Sequence, residues 1–365
     1  MFPEFDYAAR LEHTRDRLRR VGVDALLVSV GADLPYLIGY EAMPLERLTM
    51  LVFPADGEPT LLVPVLEAAR VDERQGAFRV RAWGETEDPV ALAADLVGSR
   101  SSLLVGDQTW SVFLLAIQER LGRARFEPAT PFMADLRMRK EPAEIEWLRA
   151  AGAAADRVVA GLGDIRFTGR AEREVAGDIA ARIVAEGHDI STFTIVASGP
   201  NAASPHHETG HRVIEAGDSI VLDFGGRYRG YHSDTTRTLH VGEPSVEFAT
   251  AYTVLEQAQA AAREAVGPGV AAQEVDRVAR RVIDDAGYGN RFIHRTGHGI
   301  GLEVHEHPYL VEGNELPLEE GMAFSIEPGI YEPGAYGMRI EDIVVCTADG
   351  IDELNRSPRG LLLVE

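Results

Sequence analysis

The sequence predicts two domains: an α/β N-terminal domain over residues 1–134, and an α+β domain over residues 135–365 built from an internal pseudo-two-fold repeat. Three observations carry that reading. A chain of 365 residues exceeds one ordinary core, since domains usually run to about 100–200 residues. Helical and strand patterns alternate through its first third, and beyond them a sequence of two helices and a hairpin occurs twice.

In chain order, an amphipathic stretch at Tyr7–Arg20 is followed by apolar runs at Ala25–Val30, Met50–Phe53 and Leu61–Val63. Another run lies at Ser102–Val105, with helical segments at Val90–Leu96 and Trp110–Leu121. Strands interleaved with helices imply a small domain with a mainly parallel or mixed sheet. Pro128 and Pro131 interrupt the pattern, and Arg137–Glu141 is polar before a helix starts near Pro142, so the boundary is expected at 130–140. Helices at Ala143–Leu162 and Ala171–Glu186 then precede a hairpin at Ser219–Val241. Helices at Val246–Val266 and Gln273–Ala286 precede a second hairpin at Met322–Cys346. Glu174-Val175 recurs as Glu274-Val275, Asp223 maps near Glu327, and Asp234 maps near Glu341.

Composition narrows the function classes. Hydrophobic residues make up 45% and charged residues 26%, as in an ordinary folded protein. With 58 acidic against 36 basic residues the net charge is −22, which repels phosphate backbones and anionic headgroups and argues against nucleic-acid and membrane partners. Cys346 is the sole cysteine, which excludes a disulfide framework and a thiolate zinc site; its apolar neighbours Val344 and Val345 make it a core residue. Met1–Arg20 carries charges throughout and has no apolar central stretch, so the expected setting is cytoplasmic.

The four repeated carboxylates are the chemical signal. The midpoint between Asp223 and Asp234 falls inside Gly225–Gly230, and that between Glu327 and Glu341 falls on Gly334, both turn-forming stretches. Each pair is therefore expected to face across two strands, where carboxylates about 5 Å apart repel unless a cation neutralises them. Solvated hairpin acids are the bland alternative. Asp223 follows Ile220-Val221-Leu222, however, and Glu327 follows Phe324-Ser325-Ile326, and buried strands do not carry lone acids cheaply. His298, in Thr296-Gly297-His298-Gly299-Ile300-Gly301, has small neighbours that let backbone approach a ligand. One nitrogen and four carboxylates form an oxygen-rich set suited to a pair of divalent ions, manganese, cobalt or zinc.

These segments resemble the pita-bread metallopeptidases, specifically the Xaa-Pro dipeptidases (prolidases) and aminopeptidase P. The likeness rests on Leu222–Gly226, Ser233–Thr238, the His298 loop, Ile326–Gly329 and Arg339–Asp342, with Tyr36–Tyr40 and Arg139–Ile145 resembling segments outside the ligand set. It implies hydrolysis of the peptide bond before proline in a small peptide, with Asp223, Asp234, His298, Glu327 and Glu341 as metal ligands. Within that set it implies that Asp234 and Glu341 bridge, Asp223 holds one ion, and His298 and Glu327 hold the other. Glu327 would also carry a proton toward the leaving nitrogen. His206 and His305 match the family's catalytic pair, with His207 able to exchange with His206 if the loop register differs; His294 and His307 are read as ordinary core or surface residues. Arg339 would orient a bridging carboxylate or substrate. The likeness further implies a homodimer. Creatine amidinohydrolase and a non-catalytic binding protein on the same fold are disfavoured, because all five ligands are present. In some prolidases an arginine soon after the second catalytic histidine meets the substrate carboxylate; here His305 is followed by Glu306-His307-Pro308-Tyr309, leaving Arg47 as a candidate for the carboxylate and Asp33 for the amino group.

Overall fold

The computed structural model describes residues 5–73 and 77–365; residues 1–4 of the charged N-terminal stretch lie outside the described residues. The chain divides into two compact units between Arg137 and Met138.

The N-terminal unit runs α1 (Tyr7–Val21), β1 (Ala25–Val28), α2 (Asp33–Ile38), β2 (Met50–Pro54), β3 (Thr60–Pro64), α3 (Val65–Ala68), β4 (Arg79–Trp83), α4 (Pro89–Val97), β5 (Ser102–Val105), α5 (Ser111–Arg120), β6 (Arg125–Pro128) and α6 (Thr130–Arg137). Asp6 caps α1 by accepting from the Ala9 N–H at 2.9 Å, and Leu11, Thr14 and Leu18 form its buried stripe. The sheet is ordered β4-β3-β2-β1-β5-β6. It is mixed: β2 is antiparallel to β1 and β3, and the remaining pairs are parallel. Strands β4 and β6 escape a hydrophobic reading because Arg79, Arg125 and Glu127 interrupt them at exposed positions. Pro131, read as an interruption, sits in the first turn of α6, where a missing N–H costs no helical hydrogen bond.

The second unit shows the repeat. Its first half contains α7 (Pro142–Ala160), α8 (Glu172–Ala185), β7 (Ile190–Ser198), β8 (Ser219–Tyr228), β9 (Tyr231–His232) and β10 (Thr235–Val241). The other half contains α9 (Val246–Glu264), α10 (Ala272–Asp285), β11 (Gly297–Gly299), β12 (Glu306–Leu310), β13 (Ala323–Ile326), β14 (Gly329–Glu332), β15 (Tyr336–Arg339) and β16 (Asp342–Thr347), with β17 (Gly350–Glu353) and β18 (Leu362–Val364) after it. In each half two helices precede an antiparallel three-strand path, β7-β8-β10 or β11-β13-β16. The repeated Glu-Val pair is structural: Glu174 accepts from the Ala171 N–H at 2.9 Å at the start of α8, and Val175 and Val275 are fully buried in the two cores.

The same alternation that builds the cores aims the acids away from them. Ile220, Leu222 and Phe224 on β8 pack with Val175, Ile179 and Ile183 of α8. Period two then turns Val221 and Asp223 to the opposite face. Val275, Ile283, Phe324, Val344 and Cys346 form the matching core of the second half. A backbone bridge between Thr236 and Glu341 joins the two sheets where their acid-bearing strands meet.

Candidate metal centre

Asp223 lies on β8, Asp234 just before β10, His298 on β11, Glu327 between β13 and β14, and Glu341 between β15 and β16. The second hairpin has the expected register. Ile326 pairs with Asp342 on one side and Gly329 with Arg339 on the other, which sets Glu327 opposite Glu341. The first differs by two residues: Asp223 faces Thr236, not Asp234. Its turn is Arg229–Gly230, both at positive φ (51° and 93°), the conformation of a tight two-residue hairpin. A shift of two preserves the face, so Asp234 still joins Asp223 diagonally. The glycines around His298 also serve a different purpose from the one expected. A Cβ at Gly297 would lie 2.0 Å from the Ser325 carbonyl oxygen, and one at Gly299 2.1 Å from that of His307, so the glycines admit neighbouring strands rather than a ligand.

Asp223, Asp234, His298, Glu327 and Glu341 line one cavity of about 320 Å³, together with His206, His305, Arg339, Phe193, Ile195 and Val304. Three overlapping sets each bring one donor atom per residue within 4.8 Å of the others: Asp223, Asp234 and Glu341; His298, Glu327 and Glu341; and Asp234, His298 and His305. His298 Nδ1 lies 3.0 Å from the Gly299 carbonyl and donates to it, which frees Nε2 to face Glu327 at 3.3 Å, Asp234 at 3.7 Å and Glu341 at 3.9 Å.

The electrostatics fit a bound cation. Asp223 Oδ1, Asp234 Oδ1 and Glu341 Oε1 are buried without a hydrogen-bond partner, an expensive arrangement for carboxylates unless a cation meets them. Burial first, and then neighbouring acids, push Asp234 and Glu341 well above the usual carboxylate range. Burial also raises Glu327 to about 7, against the opposing Arg339 charge. Burial and the nearby His305 drop His298 to about 3, leaving the neutral imidazole that a metal ion takes.

Arg339 organises the layer behind these side chains. Its guanidinium donates to Asp223 Oδ2 at 2.5 Å, Thr236 Oγ1 at 3.0 Å, the Tyr331 hydroxyl at 3.0 Å and the Pro205 carbonyl at 3.4 Å. Thr236 in turn donates to Glu341 Oε2 at 2.7 Å. The arginine therefore holds Asp223 directly and Glu341 through a hydroxyl. His294, read from sequence as an ordinary residue, lies 2.9 Å from the Tyr331 hydroxyl and extends this network. Thr236 and Tyr331 were not legible as site residues; their alternation with the acids along the strands is the only signal. His206 and His305 are both exposed at the cavity, and the His305 ring centroid is 4.2 Å from that of His298. His207 turns elsewhere, to Glu172. In the N-terminal unit Arg47 pairs with Glu85 and Glu46, and Asp33 pairs with Arg137.

Residues 146–348 match metallopeptidase family M24, and residues 10–139 match the Creatinase/Prolidase N-terminal domain. The chain is 47% identical over 363 residues to a probable dipeptidase PepE of Mycobacterium bovis, covering 98% of this chain and 96% of the relative. It is 39% identical over 352 residues to an Xaa-Pro dipeptidase of Lactobacillus helveticus, covering 93% and 95%. The crystal structure of a prolidase from Thermococcus sibiricus superposes with a TM-score of 0.94 at 36% identity, covering 99% of this chain and all of the other.

Proposed function

The chain belongs to metallopeptidase family M24, and from that footing we propose that it is an Xaa-Pro dipeptidase using two divalent ions, manganese foremost, held by Asp223, Asp234, His298, Glu327 and Glu341. The observation that carries this reading is the set of three unpartnered buried carboxylate oxygens on Asp223, Asp234 and Glu341, facing His298 Nε2 and Glu327 across one cavity. Such an ion pair, when bound, lowers the pKa of water and polarises the scissile carbonyl.

The remaining chemistry belongs to side chains. Asp234 and Glu341, each with one oxygen unpartnered, would serve as the bridging ligands, and Asp223, fixed at its other oxygen by Arg339, would hold one ion. Glu327, held near neutrality when uncompensated, accepts a proton from the attacking water and returns it to the proline nitrogen as the peptide bond breaks. His206 and His305 stand at the cavity wall as donors to the oxyanion that forms on the carbonyl. Phe193, Ile195 and Val304 offer an apolar wall for the substrate side chain and the proline ring. The free, buried Cys346 supports a cytoplasmic setting, the acidic composition argues against nucleic-acid and membrane partners, and the family resemblance supports a small peptide substrate and a homodimer.

The experiment is a manganese-supplemented assay of Ala-Pro against Ala-Pro-Ala. Preference for the dipeptide is expected. Preference for the tripeptide would replace this reading with an Xaa-Pro aminopeptidase, to which the lack of an arginine in His305–Tyr309 also points.

A further inference from the structure

His206 occupies a short turn closed by the His207 N–H donating to the Ser204 carbonyl at 3.2 Å, with Pro205 at the position where its fixed φ favours such turns. Ser204 and His206 are exposed while Pro205 and His207 are partly buried, and the Arg339 guanidinium reaches the Pro205 carbonyl at 3.4 Å from the metal-centre side, which leaves the far side of the turn to be fixed. The residue after His206 fixes it. His207 Nε2 lies 2.9 Å from Oε2 of Glu172, a carboxylate at the start of α8 that is fully buried. Glu172 also accepts from the Ser198 N–H at 2.8 Å, the Ser198 hydroxyl at 2.7 Å and Asn201 Nδ2 at 3.1 Å, so it ties the end of β7 and both ends of the connection into the turn to one point. Burial alone works to raise the carboxyl, and the donors from Ser198, His207 and Asn201 outweigh it and hold Glu172 below the usual range. A charge kept ionised in a buried position by several donors is a rigid anchor.

The construction recurs at the other histidine. Glu306, directly after His305, is buried and paired with the ammonium of buried Lys140. Each of the two cavity histidines is thus followed by a residue pinned to a buried charged side chain, Glu172 in one case and Lys140 in the other.

We propose that His207 and Glu172 form a positioning pair that aims His206 at the reacting carbonyl, a role that rests on the reading of His206 given above. Neither touches substrate; both act through the backbone of the 204–207 turn. His207→Leu removes the donor, and His207→Gln keeps an N–H at similar reach. In the manganese-loaded enzyme, His207→Leu lowers kcat for Ala-Pro on the order of 10-fold, as misplacement of a preorganised contact does, while metal content and KM stay near wild type. His207→Gln recovers most of the loss. In a His206→Ala background the His207→Leu change has no further effect, because the group it positions is gone. An equal loss in both backgrounds, a Gln variant as impaired as the Leu variant, or a Leu variant with full kcat each overturns the proposal. If wild-type protein fails to cleave Ala-Pro, it is the proposed function that falls. The crystal structure of His207→Leu then decides the positioning role alone: withdrawal of His206 from the cavity supports it, and His206 in its present place overturns it.

Discussion

Metal-free protein should be stabilised by replacing Glu327, one of the proposed metal ligands. Glu327 is largely shielded from water, and that burial, with Asp223 nearby and against the opposing Arg339 charge, holds its carboxyl at about 7 instead of 4.5. The folded-state value lies above the unfolded one, so folding opposes ionisation. The resulting cost is absent below about pH 4.5, grows as pH rises, and is complete above about 7. That interval, at about 1.4 kcal/mol per pH unit, amounts to about 3 kcal/mol. Glu327→Gln keeps the acceptor that the Ser325 hydroxyl reaches at 3.1 Å and removes the charge. Calorimetry in chelator at pH 8 should show the variant melting about 6–12 °C above wild type, using about 2–4 °C per kcal/mol for a unit of this size. At pH 4.5 the two should coincide, and excess manganese should reverse the order at pH 8, because only the complete ligand set gains fully from binding. A variant no more stable than wild type at pH 8, or equally favoured at both pH values, would refute the buried-charge argument.

Three further outcomes follow from the site. Asp234→Asn or Glu341→Gln should abolish Ala-Pro hydrolysis while leaving the fold intact by circular dichroism, since an amide supplies neither the charge nor the second oxygen that a bridging ligand needs; wild-type turnover with full metal content would reject the bridging role. His305→Ala should lose on the order of 100-fold in kcat with metal retained, whereas His298→Ala should lose metal, and the reverse pattern in metal analysis would exchange their roles. Arg295 stacks over the Tyr309 ring at 4.4 Å, and its charge, after burial, lowers the pKa of His305, so its guanidinium lies within electrostatic reach of that cavity histidine. Arg295→Ala should therefore raise KM for Ala-Pro by about tenfold through loss of one charge-assisted contact and leave Ala-Pro-Ala less affected, and equal effects on the two substrates would remove it from carboxylate recognition.

The fold was legible wherever an element buries one face. The four helices at Pro142–Ala160, Glu172–Ala185, Val246–Glu264 and Ala272–Asp285 fall within two or three residues of the positions read from hydrophobic spacing. Strands β4, β6 and β7 were not read, because exposed Arg79, Arg125 and Glu127 and a half-buried Ile190–Val196 stretch blunt the alternation. Acidic residues in apolar surroundings disclosed the side chains that the fold gathers around one cavity. The two-residue register error in the first hairpin left them on the right face, since a strand's side-chain period is two. What stayed hidden is the supporting layer. Thr236, Tyr331, His294 and Glu172 are ordinary residues in sequence, and only long-range packing brings them to Arg339, Glu341 and His207.

The central claim is that the buried oxygens of Asp223, Asp234 and Glu341, with His298 and Glu327, hold two divalent ions that hydrolysis requires. The most direct measurement is elemental analysis of manganese-reconstituted, desalted protein, paired with Ala-Pro hydrolysis before and after chelation. The account predicts two manganese ions per chain, and activity that disappears with chelator and returns with manganese. Protein that retains no divalent ion and hydrolyses Ala-Pro at the same rate in chelator would contradict it.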